Sequence, residues 1–146
     1  MRARFIALIA AAVLTACSAD PEPPLGRWQG VYESSDALIV ARLEISPGGI
    51  VRVSAPNAFG EKAGILEADR ERVRAQLETG LSRAWPAIQP LNFSFDGKIF
   101  RKQGGVAPQM EWDETSKRMT LIVYPGLRDT IRMPLEPVED FPQENS

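Results

Sequence analysis

Residues 37–55 read ALIVARLEISPGGIVRVSA, two runs of alternating apolar residues on either side of a Pro-Gly-Gly turn. A period of two places successive side chains on opposite faces of an extended strand, so this stretch is predicted as a hairpin with one buried face. In the first run, Ala37 to Ile45, the residues Ile39, Ala41, Leu43 and Ile45 share a face, while Arg42 and Glu44 point the other way. Pro47-Gly48-Gly49 makes the turn, and Ile50 to Ala55 returns. Trp28 to Glu33 precedes them, and the three are expected to form an antiparallel meander.

The period then changes. From Leu66 to Trp85 the apolar residues Leu66, Val73, Leu77, Leu81 and Trp85 recur at intervals of seven or four, with Arg70, Arg72, Arg74 and Glu78 between them. That spacing predicts an amphipathic helix, which Pro86 stops. Gly80 costs about 1 kcal/mol relative to alanine in a helix interior, so its last turns are expected to fray or bend. Strands resume at Leu91 to Phe95, the turn Asp96-Gly97, and Lys98 to Lys102; an Asp-Gly between alternating apolar residues is a strong hairpin signal. After Gln103-Gly104-Gly105, the segments Gln109 to Trp112 and Arg118 to Tyr124 flank a polar turn at Asp113 to Lys117. Asp129 to Leu135 closes the sheet, and Pro134, which has no N–H for a ladder, places that strand at an edge or ends it there. The fold class is therefore mainly β: a small antiparallel barrel or sandwich of about eight strands with one inserted amphipathic helix.

The first residues have a separate logic. Arg2 and Arg4 form a basic start, FIALIAAAVL follows from Phe5 to Leu14, and small residues come next, the layout of a secretory signal peptide. The apolar run is too short for a membrane span, which needs about 20 residues to cross roughly 30 Å. Leu14-Thr15-Ala16-Cys17 resembles a bacterial lipobox. The resemblance implies that the Cys17 sulfur takes a diacylglyceryl group, that the chain is cut before Cys17, and that the new amine is acylated. Two or three acyl chains anchor a protein stably where one does so only marginally. Cys17 is the only cysteine, so the mature domain would have no disulfide and no thiol ligand. Ser18 after the cysteine, under the enterobacterial sorting rule, favours the outer over the inner membrane.

Cleavage there leaves Cys17 to Ser146, the size of one domain. Loss of Arg2 and Arg4 takes Lys+Arg from 17 to 15 against 19 Asp+Glu, moving the formal charge from −2 to −4. A mildly acidic chain with no basic run is a poor nucleic-acid binder. Residues 1–16 are thus read as signal peptide, and 17–25, with Pro21, Pro23 and Pro24, as an extended tether. Residues 26–136 are read as the domain, and the acidic, proline-rich 137–146 as a flexible tail.

Gly26-Arg27-Trp28 is similar to the Gly-x-Trp that opens the first strand of lipocalins, some of which are bacterial lipoproteins. That likeness implies a barrel with Trp28 packed across one end and an arginine from a late strand, Arg128 or Arg132, lying over it. The family's Thr-Asp-Tyr motif is missing, and the helix here is mid-domain. Trp28-Gln29-Gly30-Val31-Tyr32 together with Met119 to Gly126 also looks like small proteobacterial lipoproteins.

Catalytic chemistry is hard to find. With no histidine, the chain lacks the commonest general base and metal ligand, and no cofactor motif is present. Glu111, Asp113 and Glu114 around Trp112 raise two possibilities, carboxylate-pair glycan hydrolysis and calcium binding, against the plainer reading of Asp113 to Lys117 as turn chemistry. The aromatic residues mostly fall on strands, where core packing is the default. If some line a cavity instead, Trp28, Tyr32, Phe59, Trp85 and Trp112 are the candidates to contact an apolar ligand such as an acyl chain, with Asn57 to Gly60 read as the loop entering the helix and Phe59 in it as a lid residue or a simple anchor. The helix arginines, including Arg83, alternate with acids and read as a mixed solvated face. The expectation is a non-enzymatic, lipid-anchored periplasmic binding protein without cofactor or metal. It would either carry an apolar ligand or, with a filled core, contact an envelope protein.

Overall fold

The computed structural model describes residues 19–55, 57–102, 109–123 and 130–142. The signal segment, Cys17, the loop at 103–105, Tyr124 and Arg128 lie outside the described residues. Strands β1 (Gly26–Glu33), β2 (Ala37–Ser46) and β3 (Ile50–Val53) form the expected meander. A short β4 (Asn57–Gly60) precedes helix α1 (Glu67–Ala84), which runs into a 3-10 turn at Trp85–Ala87. Then follow β5 (Leu91–Phe95), β6 (Ile99–Lys102), β7 (Gln109–Asp113), β8 (Arg118–Val123) and β9 (Ile131–Val138). All pairings are antiparallel, β5 joins β3, and β9 returns to β1, so eight strands close into a barrel with β4 as an extra strand. Closure settles barrel against sandwich.

Alternation decides what fills the barrel. Trp28, Ile39, Ala41, Leu43, Ile45, Val51, Phe93, Phe100, Met110, Trp112, Met119, Leu121, Val123, Met133 and Leu135 form one buried inward cluster. Phe100, Met110, Met119, Leu121 and Met133 are 0% exposed. A void large enough for a ligand would leave its walls open to a water-sized contact, so these values describe interlocked side chains. Trp28 meets Trp112 edge to face at 6.4 Å, and Phe95 stacks on Phe100 at 4.3 Å. Gly30 faces inward as well, and its missing side chain is what lets Leu135 and the Pro134 carbonyl approach β1.

The outer face of β2 is also covered. Leu38 and Val40 pack with Ile65, Val73, Leu77 and Leu81 beneath α1, a second hydrophobic cluster sharing β2 with the first. Glu67 and Asp69 in the first turn and Arg83 in the last suit the helix dipole. Arg52 closes the C-terminal end, donating from Nη2 to the Trp85 carbonyl at 2.6 Å and from Nε to that of Ile88 at 3.2 Å. Its guanidinium also lies over the Trp85 ring. Leu66, expected on the apolar stripe, is instead the residue before the helix and is exposed.

Four further expectations need correction. Asn57 to Gly60 is not a loop: Leu43 pairs with Val53 and Val40 with Asn57, so one extra residue is accommodated between β3 and β4 and the chain continues along β2. Gly80 does not fray the helix, which continues to Ala84; the glycine makes room for Asn57, whose Nδ2 donates to the Leu77 carbonyl at 2.9 Å. Strand β9 is not an edge and does not stop at Pro134. It pairs with β8 through Leu135 and with β1 from Glu136 to Val138, and the described β1 ladder begins only after Pro134, where no N–H is needed. Finally, residues 137–142 are not a free tail. Phe141 is buried against Trp85 at 4.7 Å, and the Pro142 carbonyl accepts from Ser82 and Arg42.

Candidate functional site

The five aromatic candidates do not converge. Trp28 and Trp112 belong to the barrel interior, with Tyr32 packed against the same cluster. Trp85 lies outside the barrel on the helix flank, and Phe59 is on β4, 40% exposed. Packing, not an apolar cavity, explains Trp28 and Trp112. Of the arginines expected over Trp28, Arg132 is elsewhere: Ile131, Met133 and Leu135 are the inward residues of β9, so Arg132 faces out and pairs with Glu111. Trp28 has Trp112 beside it instead, and its ring folds back over Gly26.

A broad recess lies on the outside of the barrel, over β7 to β9 and the turn before β6. It is a cleft of about 740 Å³ whose polar walls include Lys98, Glu111, Asp113, Arg118, Thr120 and Arg132. The pairings Glu111 with Thr120 and Asp113 with Arg118 put these side chains on one face. Strand alternation and sheet curvature therefore build it.

Its acids are already engaged. Arg132 hydrogen-bonds Glu111 and holds its carboxyl below the usual range against the opposing effect of burial. The Ser116 hydroxyl and the Ser116 and Thr115 backbone N–H groups do the same for Asp113. Lys117 and then Trp112, whose Nε1 donates at 2.6 Å, lower Glu114. All three are held as anions. A glycosidase acid needs the opposite, a raised value that keeps its proton near neutral pH. Nor do they gather for a cation: among the described residues no group of three or more His, Cys, Asp or Glu is placed to hold a metal.

The cations differ. Among the described residues, neither Lys98 Nζ nor the Arg118 guanidinium has a hydrogen bond or ion pair, although Lys98 lies close enough to act electrostatically on Glu111 and Asp113. Alternation about the inward Met119 turns Arg118 outward, whereas Lys98 shares the parity of the inward Phe100 and is exposed because it lies in the turn before β6. Their meeting with Arg132 depends on pairing across three strands.

A second recess of about 290 Å³ lies between barrel and helix, with Arg27, Arg42, Arg52, Glu44 and Ser82 in its walls. Arg27 and Arg52 both bind Glu44, at 2.7 and 3.4 Å. Arg42 is only 2% exposed. Its Nε donates to Gln29 and its Nη2 to Ser82 and the Pro142 carbonyl, while its guanidinium lies 5.0 Å from the centre of Phe141. Burial lowers its pKa and the Glu78 charge opposes that. These arginines fasten helix and C-terminal segment to the barrel. The helix arginines are engaged too: Arg70 and Arg74 pair with Glu33, and Arg72 with Asp69.

Comparison of the chain with protein-family models, with curated proteins and with solved structures found no match in any of the three.

The Glu111–Arg132 pair makes a pH prediction. Because the folded-state pKa of Glu111 is lowered, its contribution is full above the unfolded carboxylate value and fades as pH falls through the folded one. Glu111→Gln is expected to remove only about 0.5 kcal/mol at neutral pH, the scale of an exposed pair. The difference from wild type should vanish toward acid. Urea unfolding at neutral and acid pH checks this, and a difference that grows on acidification would contradict it.

Proposed function

We propose that this chain is a lipid-anchored envelope protein whose barrel works through contacts on its outer surface. The signal-like start and the lipobox resemblance at Cys17 support the anchor. Against an interior ligand stands one observation: the inward side chains of Phe100, Met110, Met119, Leu121 and Met133 are fully buried against one another. The recessed polar surface lies outside, and its carboxylates are occupied by structural hydrogen bonds. Binding, not turnover, is the chemistry this favours.

Mass spectrometry of the intact protein purified from membranes tests both halves. Acyl mass on Cys17 should persist after denaturation and be absent from Cys17→Ser. The native spectrum should carry no further ligand. Lipid mass on Cys17→Ser would sink the anchor, and a small molecule released on unfolding would favour an interior carrier.

A further inference from the structure

We propose that the outer cleft holds the phosphate of an anionic phospholipid head group, so that the barrel rests on the bilayer by the face beside its tether. This rests on the lipid-anchored reading. The tether supplies the first argument. Residues 19–25 do not stand away from the domain as a stalk throughout: a Cβ added at Gly97 would lie 3.5 Å from Cβ of Pro21, so that ring packs on the turn between β5 and β6. Gly97 and Lys98 are also walls of the cleft. An extended chain advances at most about 3.6 Å per residue, so the four steps from Pro21 back to Cys17 reach no farther than about 14 Å. Acyl chains on Cys17 therefore bring the Gly97 turn, and the cleft it borders, close to the lipid head groups.

The second argument is the hydrogen-bond inventory. Glu111, Asp113 and Glu114 are satisfied by Arg132, by the Ser116 and Thr115 donors, and by Lys117 and Trp112. Among the described residues Lys98 Nζ and the Arg118 guanidinium have no hydrogen-bond partner, and the Thr120 hydroxyl is in the same walls. Formal charge in the cleft is balanced, Lys98, Arg118 and Arg132 against Glu111, Asp113 and Glu114. Donor capacity is not balanced. A phosphodiester offers acceptor oxygens and no competing donor: arginine meets it with a planar fork and lysine as a point charge. Such contacts act within about one Debye length, roughly 8 Å at physiological salt, so they need the proximity that the tether provides.

The test uses the full lipidated protein reconstituted in vesicles of phosphatidylcholine, with and without phosphatidylglycerol. Amine acetylation is followed at each lysine by mass spectrometry. Lys98 is expected to react several-fold more slowly when phosphatidylglycerol is present, while Lys62, exposed in the turn after β4 and not in the cleft walls, reacts equally in both. Arg118→Gln should abolish the difference. Equal reactivity of Lys98 in the two vesicles overturns the proposal. Equal protection by glycerol phosphate added to phosphatidylcholine vesicles also overturns it, assigning the cleft to a soluble phosphate ester. The intact mass of the same sample reports the acyl chains, so failure of the anchor is read separately from failure of the cleft.

Discussion

Gly30→Ala is expected to destabilise the barrel by about 3 kcal/mol, the upper range for overpacking a filled core, and Gly30→Val to prevent folding. A Cβ at this position falls 2.5 Å from Leu135 Cδ2, 2.7 Å from the Pro134 carbonyl oxygen and 3.2 Å from Met133 Sδ. The leucine methyl can turn away. The carbonyl belongs to the backbone of β9, which would have to move from the strand it closes against. Only Arg27, Trp28 and Gln29 of β1 are in ladder register with β9, so the closing seam is short and sits directly beside the collision. Leu135→Ala should relieve part of the penalty in the double variant and leave the carbonyl contact. Thermal unfolding of the single and double variants measures both. A Gly30→Ala protein melting with wild type would show that β9 yields freely, contrary to this packing.

Arg42→Ala is the second large effect, also about 3 kcal/mol, combining lost packing with abandoned acceptors. Gln29, Ser82 and the Pro142 carbonyl all lose their guanidinium donor, and the Phe141 ring loses the cation beside it. Arg42→Lys should recover less than half, because a single ammonium cannot reach three acceptors with the geometry of a planar fork. The loss should be largest at the C-terminal segment. Carboxypeptidase digestion would then proceed past Phe141 in Arg42→Ala and halt before it in wild type. Denaturant unfolding supplies the global number, and a loss under about 1 kcal/mol would mean that water replaces the side chain adequately.

The strands were readable wherever alternation and turn chemistry agreed. Ile39 to Ile45, Pro47-Gly48-Gly49 and Asp96-Gly97 each say one thing at both levels, and Gly48 and Gly49 adopt the positive φ that such a turn requires. Four-residue β4 carries no such pattern: Asn57-Ala58-Phe59-Gly60 is specified by its neighbours β2 and α1. Composition concealed the C-terminal segment, since prolines and acids around Phe141 look like solvent-exposed chain until Trp85 is placed beside it. Arg42 was hidden for a related reason. A charged residue opposite a hydrophobic strand face reads as solvated, and only the helix laid across that face buries it. The cleft was partly legible: alternation turns Glu111 and Asp113 outward, but Lys98, Arg118 and Arg132 meet them only through strand pairing. Of the aromatic residues read as possible ligand contacts, alternation turns Trp28, Tyr32 and Trp112 to the interior, while Trp85 is placed on the flank by the end of α1.

Closure of the ring bears on how copies of this chain live together. A protein held at a surface, as proposed for this one, is concentrated in two dimensions, where an open sheet edge is a template for pairing with the next molecule. Here β9 has returned to β1, and the strand left at the end of the order is β4, four residues long and displaced by its bulge from the line of β3. Crowded side by side, such barrels present one another, among the described residues, with a terminal strand only four residues long on which an aggregate could begin.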